Sequence, residues 1–291
     1  MPPTETDVFV RLERFYDALP RPYARVEDHG GLVLFVREGE GWPYYARPRI
    51  GAGTPSAADI TAARRRQREL GIPEAFEWVH ETTPDLLAVA RSAGLEVLLA
   101  PLLVLDPAAL LPDLPVDGAT IRLLDPAGAD YPAALAASRA VAQLAFAAPA
   151  DRTPLQEASA ALTITPAGPK ERDAARPDLS PGLVAEFRER TAGGRYHTAV
   201  ADSPADGILA TGALMRDGDV AEIAGVATLP AARGRGYATQ LTARLAERGL
   251  ADGTQTIFLS AGSEDAARLY TKVGFRRVGT ACIAEPGTSE L

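Results

Sequence analysis

The sequence has 291 residues, 46% of them hydrophobic and 23% charged, which is typical of a soluble globular protein with room for two domains. The net charge of −8 argues against a general nucleic-acid-binding surface, and the single cysteine excludes an intramolecular disulfide. The longest apolar runs are too short to span a bilayer, and the first residues lack the pattern of a signal peptide. These features predict a cytoplasmic protein with no membrane partner and no nucleic-acid partner.

Histidine and lysine are both rare. The three histidines are scattered along the chain, and with one cysteine they form no metal-ligand cluster, so we expect no metal site. Lys170 and Lys272 are the only lysines among 30 basic residues, and alanine is abundant. This bias is typical of a GC-rich bacterial genome.

The first part of the chain predicts helices and strands followed by a linker. Ser56 is a suitable N-cap and Gly71 a suitable stop for the clearest helix. The prolines at 107, 112 and 115 predict that residues 107–118 form an interdomain linker. The predicted helices are 8–16, 56–70 and 85–92, and the predicted strands are 31–37, 42–46, 76–80 and 95–105.

The part after the linker predicts a mixed arrangement of strands and helices. Six prolines between residues 147 and 182 predict a long loop with room for a short helical turn. The predicted helices are 131–146, 183–191, 236–248 and 264–273, and the predicted strands are 120–124, 196–201, 208–215, 220–229, 256–260 and 275–284.

The two parts share a weak repeat. Helix, strand, helix, glycine and strand follow one another at 56–105 and again at 236–284, with Gly94 and Gly274 as counterparts. The repeat indicates that the two halves share a fold, although strand–helix alternation is common enough to produce it by coincidence.

One short motif between a strand and a helix indicates phosphate binding. The residues 233–238 read Arg-Gly-Arg-Gly-Tyr-Ala. A helix start offers unpaired N–H groups and the positive end of the helix dipole, glycine lets the backbone approach a ligand, and arginine binds phosphate oxygens. The motif is neither a Walker loop nor a dinucleotide fingerprint, and on its own it is equally typical of a tight turn with two solvated arginines.

A second motif follows at the next helix. Residues 263–270 read Ser-Glu-Asp-Ala-Ala-Arg-Leu-Tyr, and Gly274-Phe275 come shortly after. With the first motif, this order resembles the GNAT superfamily of N-acetyltransferases, whose Arg-x-x-Gly-x-Gly/Ala segment binds the pyrophosphate of acetyl-CoA. Ser263 stands where that family usually has asparagine.

The resemblance implies an α+β fold with a mixed, mostly antiparallel central sheet flanked by helices, in two domains. Residues 1–106 would be a degenerate GNAT-like domain, and residues 119–291 the catalytic domain. The resemblance also implies the residues that bind the acetyl-CoA cofactor: Val226, Ala227, Thr228, Arg233, Gly234, Arg235, Gly236, Tyr237, Ala238, Ser263, Ala266 and Tyr270.

Attack of an amine on a thioester needs a base near the amine and an acid near the sulfur. Tyr270 is the tyrosine that the family commonly uses as the acid; the alternative is a ring that only packs against the sheet. Glu222, eleven residues before Arg233, is the candidate base, with Asp219 and His197 as weaker substitutes. Gly225 would allow a bulge that separates this strand from its neighbour.

The predicted activity is transfer of an acetyl group from acetyl-CoA to a primary amine of a small molecule, by a monomer or homodimer. The alternatives are acetylation of a protein lysine or N-terminus, an acyl-CoA sensor or interaction protein without turnover, and a nucleotide-phosphate binder. The loop 147–182 and the first domain are expected to shape the acceptor pocket. Four aromatic residues would either line a pocket or form core: Trp42, Tyr44, Tyr45 and Trp78.

Overall fold

The computed structural model describes residues 5–148 and 166–287, with side chains from residue 8 onward. The chain forms two compact units. The first comprises Met1–Leu103, Ser260–Gly262 and Arg277–Leu291, and the second comprises Val104–Leu259 and Ser263–Arg276. The division into a degenerate domain 1–106 and a catalytic domain 119–291 stays a prediction.

The first unit is built on a mixed sheet of order β1-β2-β3-β4-β11-β5. Its strongest local signal is the predicted cap of α2, where the Ser56 hydroxyl accepts from the Asp59 N–H and the Asp59 carboxylate accepts from the Ser56 N–H. The elements are α1 Glu5–Ala18, β1 Ala24–His29, β2 Leu32–Arg37, β3 Ala46–Pro48, α2 Ala57–Leu70, β4 Phe76–Val79, α3 Leu86–Ser92, β5 Leu95–Leu105 and β11 Phe275–Pro286.

The second unit is built on strands in the order β10-β9-β8-β7-β6, antiparallel except for the parallel pair β9 and β10. The predicted α+β class, with a mixed, mostly antiparallel sheet flanked by helices, is confirmed. The elements are β6 Thr120–Leu123, α4 Tyr131–Ala147, α5 Pro169–Ala174, α6 Pro181–Ala192, β7 Tyr196–Ser203, β8 Gly207–Asp217, β9 Val220–Thr228, α7 Tyr237–Ala251, β10 Thr256–Ser260 and α8 Glu264–Val273.

Helices cover both faces of the second unit's sheet. Leu245 and Gly249 of α7 approach Gly212 and Leu214 of β8, so α7 lies on the face to which Leu214 points. Neighbouring residues of a strand point to opposite faces. His197 of β7 pairs with Leu214, so its neighbour Tyr196 points to the other face of the sheet. The Tyr196 ring packs edge-on against Phe187 of α6. The face opposite α7 is therefore covered by α6, and by α4, which packs with it.

In the first unit, the sequence prediction misses one strand and misplaces another. β1 was not predicted, because it is an edge strand with a polar sequence that gains its order by pairing with β2. The strand expected at 42–46 lies instead at Ala46–Pro48, since Pro43 cannot donate to a sheet and Trp42 is 81% exposed. Trp78, in contrast, is core.

The predicted loop 147–182 and linker 107–118 both contain order. The loop includes α5, and its residues 149–165 lie outside the described residues. The linker is hydrogen-bonded within the second unit, from the Leu111 N–H to the Val273 carbonyl at 2.9 Å and from the Leu114 N–H to the Gln240 side chain at 3.0 Å. It is therefore a packed segment and not a loose spacer.

Within residues 5–148 and 166–287, no helix has the length and apolar character needed to cross a bilayer. In the same residues, no group of three or more histidine, cysteine, aspartate or glutamate side chains is placed to hold a metal ion.

Candidate active site

The turn between β9 and α7 is open and backbone-lined. Gly234 and Gly236 adopt φ of +81° and +79°, which non-glycine residues rarely adopt. A Cβ atom added at either glycine would meet nothing within 4 Å. Gly236 caps α7 without a side-chain hydrogen bond, so the first N–H groups of the helix have no side-chain acceptor among the residues that the structure describes. We call residues 233–238 the cradle.

The two cradle arginines are placed differently. The Arg233 guanidinium donates to the carbonyls of Ala145 and Ala148 at the end of α4, at 3.1 and 2.5 Å. Arg235 is exposed and forms no ion pair with any described residue. Arg233 therefore fixes the cradle to α4 through its side chain, and Arg235 is the arginine whose side chain is open to a ligand.

The side chain of Tyr237 is also buried and hydrogen-bonded within the protein. Its ring is 1% exposed, and its hydroxyl donates to the Asp117 carbonyl at 2.7 Å. A role for Tyr237 in cofactor binding is thereby limited to its backbone.

β9 and β10 separate at Glu222. Their parallel register runs from Thr256 opposite Val220 to Phe258 opposite Glu222, although β9 continues to Thr228. The predicted bulge is confirmed: the β8–β9 register shifts opposite Gly212, and Gly225 has φ of +63°. Beyond Glu222, therefore, β9 turns its edge toward the space where the two strands part, which we call the cleft.

The predicted strand contacts lie along this cleft. Ala227 and Thr228 remain paired with Thr211 and Ala210 of β8, and Val226 is half-buried beside Gly212. The backbone edge of β9 that faces away from β8 is thus positioned to pair with an extended ligand, as one strand pairs with another.

Glu222 lies at the base of the cleft and is 8% exposed. It is opposite Met215, which is opposite Tyr196, so all three side chains share the face covered by α4 and α6. The predicted base is thus buried on the face opposite α7.

Tyr270 lies on α8, which packs beside α7. Its half-buried ring packs edge-on against Phe275 at 6.4 Å between centroids. Burial raises the pKa of Tyr270 to about 12, so its hydroxyl keeps its proton at neutral pH. Tyr270, the candidate proton donor, thus lies on a helix at one face of the sheet. Glu222, the candidate proton acceptor, lies on β9 with its side chain toward the other face.

Ser263 acts as a helix cap. Ser263 is the N-cap of α8, and its hydroxyl accepts a hydrogen bond from the Ala266 N–H at 3.2 Å. The helix ends at Gly274, where a Cβ atom would lie 2.5 Å from the Ala109 carbonyl oxygen, so this glycine is required by the close approach of the linker.

The two weaker candidate bases, His197 and Asp219, both make hydrogen bonds within the protein. His197 pairs with Asp252 at 2.8 Å just after α7, and burial lowers the pKa of this histidine. The Asp219 carbonyl accepts from the N–H groups of Gln255 and Thr256. Neither lies in the register row where β9 and β10 separate.

Sequence reasoning missed three arginines of α4 and α6 whose guanidinium groups lie over aromatic rings. No local pattern marks them, because their contacts join different elements. They are Arg139, with Cζ 5.9 Å from the Phe187 ring centre, Arg188, 5.5 Å from that of Tyr131, and Arg190, 4.9 Å from that of Tyr196.

The first unit carries the same order of elements without an open cradle. The start of α2 is occupied by Ser56 and by Asp59, whose pKa is lowered chiefly by the Ser56 backbone hydrogen bond. An ionised carboxylate at a helix start repels phosphate. The cavity between β3, β4, α2 and α3 has a volume of only about 10 Å³, lined by Leu32, Ala46, Arg47, Pro48, Ile60, Phe76, Trp78, Leu86, Ala90 and Leu95.

Comparison with known proteins agrees with this geometry. Residues 166–275 match the model of the acetyltransferase (GNAT) family. A GCN5-related N-acetyltransferase from Kribbella flavida is similar in structure, with a TM-score of 0.67 and 21% identity over 98% of this chain and 97% of that chain. A second, from Sphaerobacter thermophilus, has a TM-score of 0.52 and 16% identity over 96% of this chain and 87% of that chain. At these identities the likeness establishes the fold. No curated protein matches the sequence.

Proposed function

We propose that the chain, in which residues 166–275 match the model of the acetyltransferase (GNAT) family, transfers an acetyl group from acetyl-CoA to a primary amine of a small molecule. The observation that carries the proposal is the continuity of the cradle and the cleft. An open helix start lies at the end of the same strand that separates from its neighbour at Glu222.

The residues present fit coenzyme A. Backbone N–H groups at 236–238 would bind the pyrophosphate, with Arg235 adding a charge-assisted hydrogen bond. The edge of β9 from Val226 to Thr228 would pair with the pantetheine amides, as strands do in a sheet. When bound, acetyl-CoA supplies an acyl carbon activated as a thioester. Among the described residues of the first unit, the start of α2 is capped by its own side chains and is not open to a phosphate, so we propose one cofactor site per chain.

Glu222 would take the proton of the attacking amine. An alkylamine with a pKa near ~10.4 is protonated at neutral pH and must lose a proton before its nitrogen can attack. As the new bond from nitrogen to the acyl carbon forms and the bond from that carbon to sulfur breaks, the proton leaves toward Glu222, directly or through water.

Tyr270 would donate a proton to the departing sulfur. A thiol has a pKa of about 8.5, whereas the pKa of Tyr270 is about 12, so complete transfer would be uphill by roughly 5 kcal/mol in the ligand-free protein. Tyr270 therefore first stabilises the thiolate as a hydrogen-bond donor. The thiolate takes the Tyr270 proton only as the proton released by the amine replaces it on Tyr270, so CoA leaves as a thiol and the Tyr270 hydroxyl is unchanged at the end of the turnover.

The test is a panel of amines incubated with acetyl-CoA and the chain, monitored for free CoA and for the acetylated amine. The proposal expects turnover with at least one small amine, and a fall of about a hundredfold or more in kcat for Tyr270→Phe. A sensor would bind acetyl-CoA in both forms without releasing CoA. A protein acetyltransferase would act only on a peptide lysine or N-terminus, and either result would refute the proposal.

A further inference from the structure

The linker makes hydrogen bonds to the helix that begins at the cradle. The Tyr237 hydroxyl donates to the Asp117 carbonyl at 2.7 Å, and the Leu114 N–H donates to Gln240 Oε1 at 3.0 Å. Tyr237 and Gln240 lie three residues apart in the first turn of α7, so their side chains share one face of the helix. Both residues are buried, at 1% and 5% exposure.

Gln240 connects the linker to the cradle. Its N–H donates to the Gly236 carbonyl at 3.2 Å, which is the hydrogen bond that closes the first turn of α7. Gly236 is the cap of the helix whose first N–H groups would bind the pyrophosphate. The side chain of Gln240 thus contacts the linker, while its backbone holds the start of the helix.

The first part of the linker is bonded to the end of α8, the helix that carries Tyr270. The N–H of Asp106, just before the linker, donates to the Gly274 carbonyl at 3.0 Å, and the Leu111 N–H donates to the Val273 carbonyl at 2.9 Å. The Gly274 N–H in turn donates to the Tyr270 carbonyl. A series of hydrogen bonds therefore joins Tyr270 through the linker to the start of α7, and all of these residues belong to the second unit.

The linker has little freedom to change its length. It contains prolines at 107, 112 and 115, and each proline fixes its φ at about −65°. Ala109 lies so close to Gly274 that a Cβ atom added there would be 2.5 Å from the Ala109 carbonyl oxygen. A segment restrained in this way holds the two helices at a set spacing, whereas a flexible spacer would let them shift.

We propose that the linker sets the distance between the cradle and Tyr270, and that Tyr237 and Gln240 are the positioning residues through which it holds the start of α7. This inference rests on the proposed function, in which the cradle binds the pyrophosphate of acetyl-CoA and Tyr270 donates to its sulfur. Because both groups belong to one cofactor molecule, a shift of α7 by about 1 Å would displace the sulfur from the Tyr270 hydroxyl and slow the reaction.

The experiment uses Tyr237→Phe and Gln240→Met in the full chain. Each substitution removes one hydrogen bond to the linker and keeps a buried side chain of similar shape. Each should raise the Kd for coenzyme A about tenfold in calorimetric titration, and lower kcat about tenfold with the best acceptor of the amine panel.

The chain offers a matched control for each variant. Tyr131 is likewise the first residue of a helix and 1% exposed, and its hydroxyl is hydrogen-bonded to that of Thr191 at 3.2 Å. Gln67 is a buried glutamine of α2 whose amide donates to the Ala75 carbonyl at 3.0 Å. Tyr131→Phe and Gln67→Met should reduce stability in urea unfolding as the positioning variants do, and should keep the native Kd and kcat.

A double-mutant cycle separates positioning from a general loss of packing. Tyr270→Phe removes the group that the linker is proposed to position, so adding Gln240→Met to it should lower kcat by less than about twofold more. A further loss of the full tenfold would show that Gln240 does not act through Tyr270 and would overturn the inference.

Two other results would also overturn it: a native Kd for coenzyme A in both positioning variants, or equal losses in the two controls. In either case the proposed function would stand, provided that the native chain acetylates an amine. If no amine is acetylated, the proposed function fails, and the Kd values still decide whether the linker holds the cradle.

Discussion

Replacement of Gly236 by alanine tests the cradle with a matched control in the same helix. Gly236 has φ of +79° before the first residue of α7, and Gly253 has φ of +85° just after its last turn. An added Cβ would meet nothing within 4 Å at either position. The two glycines therefore have nearly the same φ and the same free space around an added Cβ. They are separated by the length of a 15-residue helix, about 22 Å.

Both substitutions should reduce stability equally, and only one should affect coenzyme A. A non-glycine residue in the left-handed region costs about 1–2 kcal/mol, so each variant should lose that much free energy of unfolding. At Gly236 the methyl group also stands at the helix start, where it separates the phosphate from the N–H groups. Loss of one hydrogen bond to a charged group costs about 1.5–3 kcal/mol, which corresponds to a rise in Kd of about 10- to 150-fold.

The assay is calorimetric titration with coenzyme A, together with urea unfolding of the same preparations. We expect Gly236→Ala and Gly253→Ala to share their unfolding midpoint while only Gly236→Ala binds coenzyme A weakly. If both variants bind as the native chain does, or if both lose affinity in parallel with stability, the helix start is not the phosphate site and the reasoning fails.

Four further predictions each concern a single side chain. Tyr270→Phe should retain native affinity for coenzyme A in calorimetry while kcat falls, whereas a ring that only packs would leave kcat unchanged. Arg235→Gln should raise the Kd for coenzyme A about tenfold without changing urea unfolding. Arg233→Gln should lower the free energy of unfolding by about 1–2 kcal/mol, because the last carbonyls of α4 lose their hydrogen-bond donor. Glu77, whose pKa burial raises to about 7, favours the folded state when neutral. The first unit should therefore lose up to about 3 kcal/mol as pH rises through about 7, and Glu77→Gln should remove that loss in urea unfolding at about pH 5 and about pH 8.

Local signals made most of the cradle predictable. A positive φ at Gly234 and Gly236, the bulge at Gly225 and the caps of α2 and α8 each depend on a few adjacent residues, so the sequence contains what they need. The order of strands and helices is likewise a local pattern, and it placed Glu222 and Tyr270 on the elements where the structure has them.

Contacts between distant residues were beyond sequence reasoning. Arg233 was expected to bind phosphate, yet its side chain reaches carbonyls 85 and 88 residues earlier in the chain. No spacing rule relates those positions. The stacking of Arg139 on Phe187 joins two helices in the same way.

The edge strand β1 shows a different limit. Its residues are mostly polar and show no alternation of buried and exposed positions, because an edge strand buries little of either face. Pairing with β2 supplies its order, and such pairing is a tertiary effect that local propensity does not contain.

The most direct test of the central claim is a crystal structure of the chain with coenzyme A. We expect one molecule per chain, with pyrophosphate oxygens about 3 Å from backbone nitrogens of residues 236–238 and the sulfur in the cleft, between Tyr270 and Glu222. Coenzyme A bound elsewhere, or a cradle left without ligand at a saturating concentration, would contradict the account.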